Sequence, residues 1–338
     1  MRPLSRSILA AAAGLALLAA WIAGSLLISL HAASAQADPA SYPNRLIRIV
    51  HLYTAGGGND TVARLLGNEL AARWKVNVIV EPRPGGAGII GSDYVAKSTP
   101  DGYTLLLASD ALTIMPALGN LPFEVPDSFS PIMLVGTVPF VLVASNSAPF
   151  STIEELLAAA RARPGEIAYA SVGVGTPHHL TMELLKAKAG VNLVHVPYRG
   201  ASAQMQDIMA GQVPVGFSSI SAGIGLVRAG LVRALAVTAP ERLPMLPDVP
   251  TLREKGLADV EVQGWYGLLA PAGTPPPVVE RIRAEVAAIL SSDDMAAKLA
   301  AQGVTRTTGS GPSSFTALIK HEVAQWTGLI ASQNLSIK

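Results

Sequence analysis

An α/β protein, with mostly parallel sheets covered by helices on both faces, is the fold that the sequence predicts. Short apolar runs alternate with helical patterns from about residue 46 onward, the order produced when parallel strands are joined by crossover helices. Half of the 338 residues are hydrophobic and 14% are charged, so a large core can be buried. Two extended apolar stretches punctuated by Pro or Gly, 139–149 and 265–277, interrupt the alternation. They are the expected crossings between two lobes, the first made of residues 38–140 and 266–338 and the second of residues 141–265.

Residues 46–52 read as the first strand and 60–74 as the first helix, with Val62, Leu65, Leu66 and Leu70 on one face. Strands are expected at 76–81 and 103–109. A helix starts at Ser151, where Glu154 three positions on suggests a capping box, and it stops at Pro164-Gly165. A strand at 167–171 leads to a helix at 179–189 closed by Gly190. Strands at 193–196 and 213–218 flank a helix at 203–210, and 232–238 is another strand. The remainder is mainly helical, at 275–290, 295–302 and 313–332, with Thr274 as N-cap before Pro275. In open α/β sheets ligands sit beyond the carboxyl ends of strands. The loops that follow each strand are therefore the expected walls of a cleft.

Charge and cysteine narrow the function. Residues 1–37 hold Arg2 and Arg6 and no acid, so of 25 Lys+Arg and 24 Asp+Glu the rest keeps 23 and 24. A near-neutral body offers no field for nucleic acid or an anionic membrane. The chain has no cysteine, which excludes disulfides, thiolate metal sites and cysteine nucleophiles. Arg2 and Arg6 precede an apolar run over 8–30 that exits through Ala33-Ser34-Ala35-Gln36-Ala37. That is the pattern of a secretory signal peptide, cleaved after Ala35 or Ala37. The run also exceeds the ~7–15 residues of a usual signal core, and ~20 apolar residues span a bilayer, so an uncleaved anchor is the alternative. Either reading exports the body of the chain.

Several loops could hold a ligand. Tyr53-Thr54-Ala55-Gly56-Gly57-Gly58-Asn59-Asp60 joins a strand to a helix. Its glycines permit close approach of the main chain, and the amides of a helix start suit a carboxylate. A plain tight turn with Asn59 or Asp60 as N-cap explains the same residues. Ser171, Gly173, Gly175 and Thr176 form a second polar loop, ahead of His178-His179. Neighbours on a helix point about 100° apart, so this pair does not suit one metal ion, and a local hydrogen bond is the default for His179. Tyr198, Arg199 and Gly200 offer an aromatic wall and a guanidinium fork, or a packed Tyr and a solvated Arg. Ser218 and Ser219 could donate to a ligand or cap the next helix, and Ser109 and Asp110 at the end of strand 103–109 complete the candidate set. Gly86, Gly88 and Gly91 match G-x-G-x-x-G, but Pro82 and Pro84 separate them from the strand and no acid follows about 20 residues on. No cofactor is expected. No G-x-S-x-G elbow occurs, and no His spacing suggests a base held by a carboxylate, so neither is an enzyme.

Ordered segments extend over nearly the whole exported chain. They include Ile47-Arg48-Ile49-Val50, the loop Ala55–Asp60, Glu81-Pro82-Arg83-Pro84-Gly85-Gly86-Ala87-Gly88, and Pro100-Asp101-Gly102-Tyr103-Thr104-Leu105-Leu106. Later come His195-Val196-Pro197-Tyr198-Arg199-Gly200, Leu246-Pro247-Asp248-Val249-Pro250-Thr251 and Gly267-Leu268-Leu269-Ala270-Pro271-Ala272-Gly273-Thr274-Pro275. In this order they resemble the substrate-binding receptors of tripartite tricarboxylate transporters, also called Bug receptors. The resemblance implies a type II periplasmic-binding-protein fold, two lobes joined by two crossover strands, that closes on a ligand in the periplasm. It implies a small organic carboxylate held by main-chain amides and ordered waters from the loops 53–60 and 171–176. Di- and tricarboxylates, acidic or amide amino acids and aromatic acids are the expected ligand classes, and membrane permease subunits the partner of a monomeric receptor. Two positions depart from the pattern. Leu52-Tyr53-Thr54 replaces the family's Pro-Phe-x, adding hydroxyls, and Phe217-Ser218 lacks the Asp that often follows that Phe, which predicts an acid without an ammonium group. A receptor that presents its ligand to a sensor kinase, and a secreted enzyme acting on a carboxylate, are the alternatives.

Overall fold

The computed structural model describes residues 41–333; the segment read as an export signal lies outside them. Among the described residues no helix is long and apolar enough to cross a membrane. Strand β1 (Ile47–His51) is almost wholly buried and lies parallel between β2 (Val78–Pro82) and β3 (Thr104–Ser109), as an apolar strand covered on both faces must. Helix α1 (Gly58–Trp74) joins β1 to β2 and buries Val62, Leu66 and Leu70 of the predicted stripe, while Leu65, at its edge, is half-buried. Short helices α2 (Ile89–Ala96) and α3 (Ala111–Ile114) flank β3.

Strand β4 (Phe129–Ser145) starts ten residues before the expected crossing and is 17 residues long. The second half of the fold follows it: α4 (Ile153–Ala162), β5 (Ala168–Ser171), α5 (Pro177–Ala189), β6 (Val194–Pro197), α6 (Ala201–Met209), β7 (Val215–Ser219), α7 (Ile220–Arg228) and β8 (Val232–Val237). Then come β9 (Gln263–Pro271), α8 (Pro276–Ser291), α9 (Asp293–Ala301), the short β10 (Thr305–Arg306) and α10 (Pro312–Gln333).

The sheet order is β2-β1-β3-β9-β4-β7-β5-β6, with β8 and β10 also paired to β4. Both flanks are parallel. The centre is not, because every partner of β4 and both partners of β9 run antiparallel to them, so the expectation of mostly parallel sheets holds only at the flanks. Strand β4 changes partners at one point: Phe129–Pro139 pairs with β9, and Phe140 onward pairs with β7 and β8. Thr238 ties that point down. Its Oγ1 accepts from the Phe140 N–H (2.9 Å) and donates to the Val262 carbonyl (2.6 Å), just before β9 begins.

Two cores result. One gathers Val50, Leu106, Trp265 and Phe315, the other Leu142, Tyr169, Leu185 and Phe217. Helix α10 contributes Phe315 and Ile319 to the first and Trp326 to the second.

Two expected caps are displaced. The box at α4 is Thr152 with Glu155: Thr152 Oγ1 accepts from Glu155 N–H (3.2 Å), and Glu155 Oε2 accepts from Ser151 N–H (2.6 Å). Ser151 instead accepts from Arg233 (2.8 Å). Thr274 does not cap α8. Pro275 is the N-cap, and Thr274 Oγ1 donates to the Pro271 carbonyl (2.8 Å), closing the turn after β9.

Candidate functional site

A cleft of about 470 Å³ opens where five strands end. Its walls are Tyr53, Gly57, Gly58 and Asn59 after β1, Ser109 and Asp110 at the end of β3, Val172 after β5, Ala201 after β6 and Ser219 at the end of β7. His178 in α5, Val138 and Phe140 of β4 and Tyr266 of β9 complete it. Helices α1, α5, α6 and α7 therefore begin at the cleft. Each helix start carries partial positive charge, roughly half an elementary charge. No side chain caps α1, α6 or α7, which leaves first-turn amides available to a guest. Among the described residues lining the cleft there is no Lys or Arg.

Polar atoms wait inside it. Both side-chain atoms of the Asn59 amide, Oδ2 of Asp110 and both ring nitrogens of His178 are buried without a hydrogen-bond partner, a state that proteins usually avoid. The His178 ring stands edge-on to Phe140 at 4.9 Å between centroids. Burial pushes its pKa down to about 3, so it is a neutral donor and acceptor. Burial, and then the charge of Glu322, push the Asp110 carboxyl well above the usual carboxylate range. Burial pushes Tyr266 up to about 12, and its Oη lies 2.9 Å from Ser221 Oγ.

Each loop is braced from behind. Asp60 faces its own loop: Oδ2 accepts from Gly56 N–H (3.0 Å) and Arg64 Nε (3.0 Å), and Oδ1 lies 3.1 Å from Nε2 of buried His51. Burial alone would raise the Asp60 pKa, but these hydrogen bonds and the charges of His51 and Arg64 lower it. Asp60 thus shapes the turn and occupies the Gly56 amide. Behind the second loop, Ser171 Oγ lies 2.6 Å from His195 Nε2, and His195 stacks on His179 with centroids 4.0 Å apart. His179 Nδ1 accepts from Gly175 N–H (3.0 Å), while Thr176 Oγ1 donates to the Gly173 carbonyl (2.6 Å) and caps α5. Tyr169 Oη and Lys186 Nζ both donate to Glu183 (2.5 and 2.7 Å). Ser171 and His195 approach one another only through pairing of β5 with β6, so this contact has no local signal in the order of residues.

Of the residues singled out in the sequence, the cleft brings together Tyr53, Gly57, Asn59, Ser109, Asp110 and Ser219. Ser171, Gly173, Gly175, Thr176 and His179 lie in the supporting layer. Ser218 is buried, with Oγ donating to the Ser219 carbonyl. Tyr198 spends its hydroxyl on Asp207 (2.6 Å), and Arg199 is exposed and lines no part of the cleft, so the solvated-Arg reading fits. Thr54, Ala55, Gly56 and Gly200 form lips instead. A Cβ on Gly200, at φ +145°, would sit 2.1 Å from Thr54 Oγ1, and Ser202 Oγ donates to the Ala55 carbonyl at 3.3 Å. The loops after β1 and β6 thus touch across the mouth. Gly58 and Val172 fall within the two loops expected to hold a ligand, whereas sequence reasoning missed Val138, Phe140, His178, Ala201 and Tyr266 as walls. Among the described residues no group of three His, Asp or Glu is arranged to hold a metal ion.

Residues 62–335 match the family described as Tripartite tricarboxylate transporter family receptor. The chain is 39% identical over 298 residues to the UPF0065 protein in the tcbD-tcbE intergenic region of Pseudomonas sp. (strain P51), a match spanning 88% of each chain. It superposes on the structure of the periplasmic binding protein BugD with a TM-score of 0.84 at 34% identity, over 87% of this chain and 99% of that one. The structure of R. palustris Rpa4515 with adipate also gives a TM-score of 0.84, at 31% identity over 87% of this chain and 99% of that one. Fold, cleft and similarity agree: the chain belongs to the tripartite tricarboxylate transporter receptor family of periplasmic solute-binding proteins.

Proposed function

We propose that this chain is an exported receptor that captures a small organic carboxylate between two lobes and passes it, chemically unchanged, to the permease subunits of a tripartite tricarboxylate transporter. The observation that carries the reading is the convergence of four helix starts on a cleft lined by buried polar groups and no cation. Oriented amides hold an anion without stranding an unpaired buried charge when the cleft is empty. The relative with adipate makes a dicarboxylate a natural first guest.

We take residues up to 140 and from 266 as one lobe and 141–265 as the other, because β4 exchanges partners between Pro139 and Phe140. Lobe closure is driven by a ligand only as far as it prefers the closed state, and the Thr54–Gly200 and Ala55–Ser202 contacts would be the lips that meet. The absence of chemistry is supported by the place of the one close Ser–His pair among the described residues, Ser171 with His195, in the supporting layer. Ser171 is fully buried and accepts from the Gly173 amide (3.1 Å), so it faces no guest.

A thermal-shift panel of di- and tricarboxylates, aromatic acids and acidic amino acids tests the reading. A ligand at about 100 times its dissociation constant adds ~2.7 kcal/mol of stability. At least one acid is expected to raise the melting temperature without being consumed. A panel that leaves the transition unmoved, or turnover of an acid by the purified protein, would refute it.

A further inference from the structure

Asp110 is the single acidic side chain among the described residues lining the cleft. It is 5% exposed. A Cβ added to Gly264 would lie 3.4 Å from Asp110 Oδ2 and 3.1 Å from Phe140 Cζ. The unpartnered oxygen therefore sits over bare main chain beside the Phe140 ring, at the apolar part of the cleft. The titratable groups around it are Tyr53, Tyr266 and neutral His178 in the cleft, and Glu322 of α10 behind it. Glu322 is itself occupied, accepting from Trp265 Nε1 (2.8 Å) and Thr113 Oγ1 (2.9 Å). Asp110 also borders a rear groove with Lys188, Asp259 and Glu261. There Lys188 lies 2.9 Å from Asp259, and Glu261 pairs with Arg253. An ionised Asp110 would thus be a buried charge facing no unpaired cation, which folded proteins avoid by keeping the proton.

Given that the cleft receives an organic acid, as proposed above, we infer that Asp110 meets it as an uncharged carboxylic acid and donates its hydroxyl hydrogen to an acceptor at the guest's far end. The guest's own carboxylate stays with the helix starts. Such a site takes acids of one net negative charge, or diacids whose second carboxylate shares the Asp110 proton. It disfavours a far-end ammonium, which would find only the weaker carbonyl acceptor of a neutral acid unless Asp110 first gave up its proton inside the cleft. Selection against ammonium then rests on Asp110, not on Ser218, which lies outside the cleft.

Asp110→Asn keeps the shape and a donor but removes the proton equilibrium. In the empty protein, urea unfolding between pH 4 and 7 is expected to favour the variant increasingly, by up to about tenfold in folding constant per pH unit. Above the ordinary Asp range the unfolded wild type gives up a proton that the folded state retains, so wild-type stability falls relative to the variant until Asp110 itself ionises. A difference independent of pH overturns the inference. For binding, adipate, monomethyl adipate and 6-aminohexanoate share one chain length. Wild type is expected to bind the first two about tenfold or more tighter than the third, and the variant to keep that order. A preference for 6-aminohexanoate that the variant loses overturns the inference. If acids bind but the stability difference is flat, Asp110 alone has been misread. If the difference persists and no acid binds either protein, the receptor reading has failed and takes the guest's contact with Asp110 down with it.

Discussion

Gly58 has less room than either glycine before it. A Cβ there would lie 2.0 Å from Ser221 Oγ and 2.5 Å from Tyr266 Oη, whereas one on Gly57, at φ −90°, would meet Ala201 Cβ at an ordinary 3.7 Å. Overpacking of this kind costs about 1–3 kcal/mol. Gly58→Ala is therefore expected to weaken binding of an acid that the thermal-shift panel selects by about tenfold or more, while Gly57→Ala stays close to wild type in the same calorimetric titration. Equal losses would show that the space beside the helix start does not matter. The three glycines advertise a permissive turn, yet which one is indispensable is decided by Ser221 and Tyr266, more than 160 residues away. Separation along the chain likewise hid Phe140 and Tyr266, which read as parts of the two crossings, and Val138 just before the first of them. Asp110 and Asn59 were legible because each follows a strand by one loop.

At the scale of elements, periodicity and punctuation located most strands and the longer helices but not the short helices α2 and α3, because a 3.6-residue stripe or an apolar run ending at Gly or Pro is local information. Caps and crossings were less legible. At α4 the capping motif could begin at Ser151 or Thr152, since Glu154 and Glu155 satisfy either spacing, and Arg233 decides by engaging Ser151. Thr152→Ala is expected to lower stability to urea by about 1 kcal/mol, and Ser151→Ala by clearly less; the reverse order would restore the first assignment. The length of β4 was hidden by Pro131, Gly136 and Pro139, which ordinarily argue against a strand. Its pairing with β9 absorbs two of these interruptions through register shifts between Pro131 and Met133 and between Leu134 and Gly136.

Over the whole molecule, burial of histidine sets the response to acid. Burial lowers His178 and His179 to about 3 and His195 to about 4, and lowers His51 as well. The unfolded chain binds these protons near pH 6.5 and the folded chain does not, so stability is full above about pH 6.5 and falls as the pH drops toward 3. Each of the buried pair His178 and His179 contributes up to about 1.4 kcal/mol per pH unit in that window. In Asp110→Asn, which removes the opposing titration of that carboxyl, urea midpoints at pH 7, 6 and 5 should therefore decline with increasing steepness, and a flat series would mean that these rings are charged or exposed. None of this was visible in the order of residues. Six histidines at irregular spacing carry no sign of which will be enclosed, and the stack of His179 on His195 exists only once β6 lies beside β5.

The antiparallel seam between β3 and β9 has a consequence for biogenesis. Leu106 cannot find Leu269 until the ribosome has made everything between them, so one face of the nascent chain stays sticky for most of synthesis. Until then the β3 edge that β9 will cover has no partner on that side. Strand β9 then works as a fastener, closing the seam between the two ends of the chain late in synthesis.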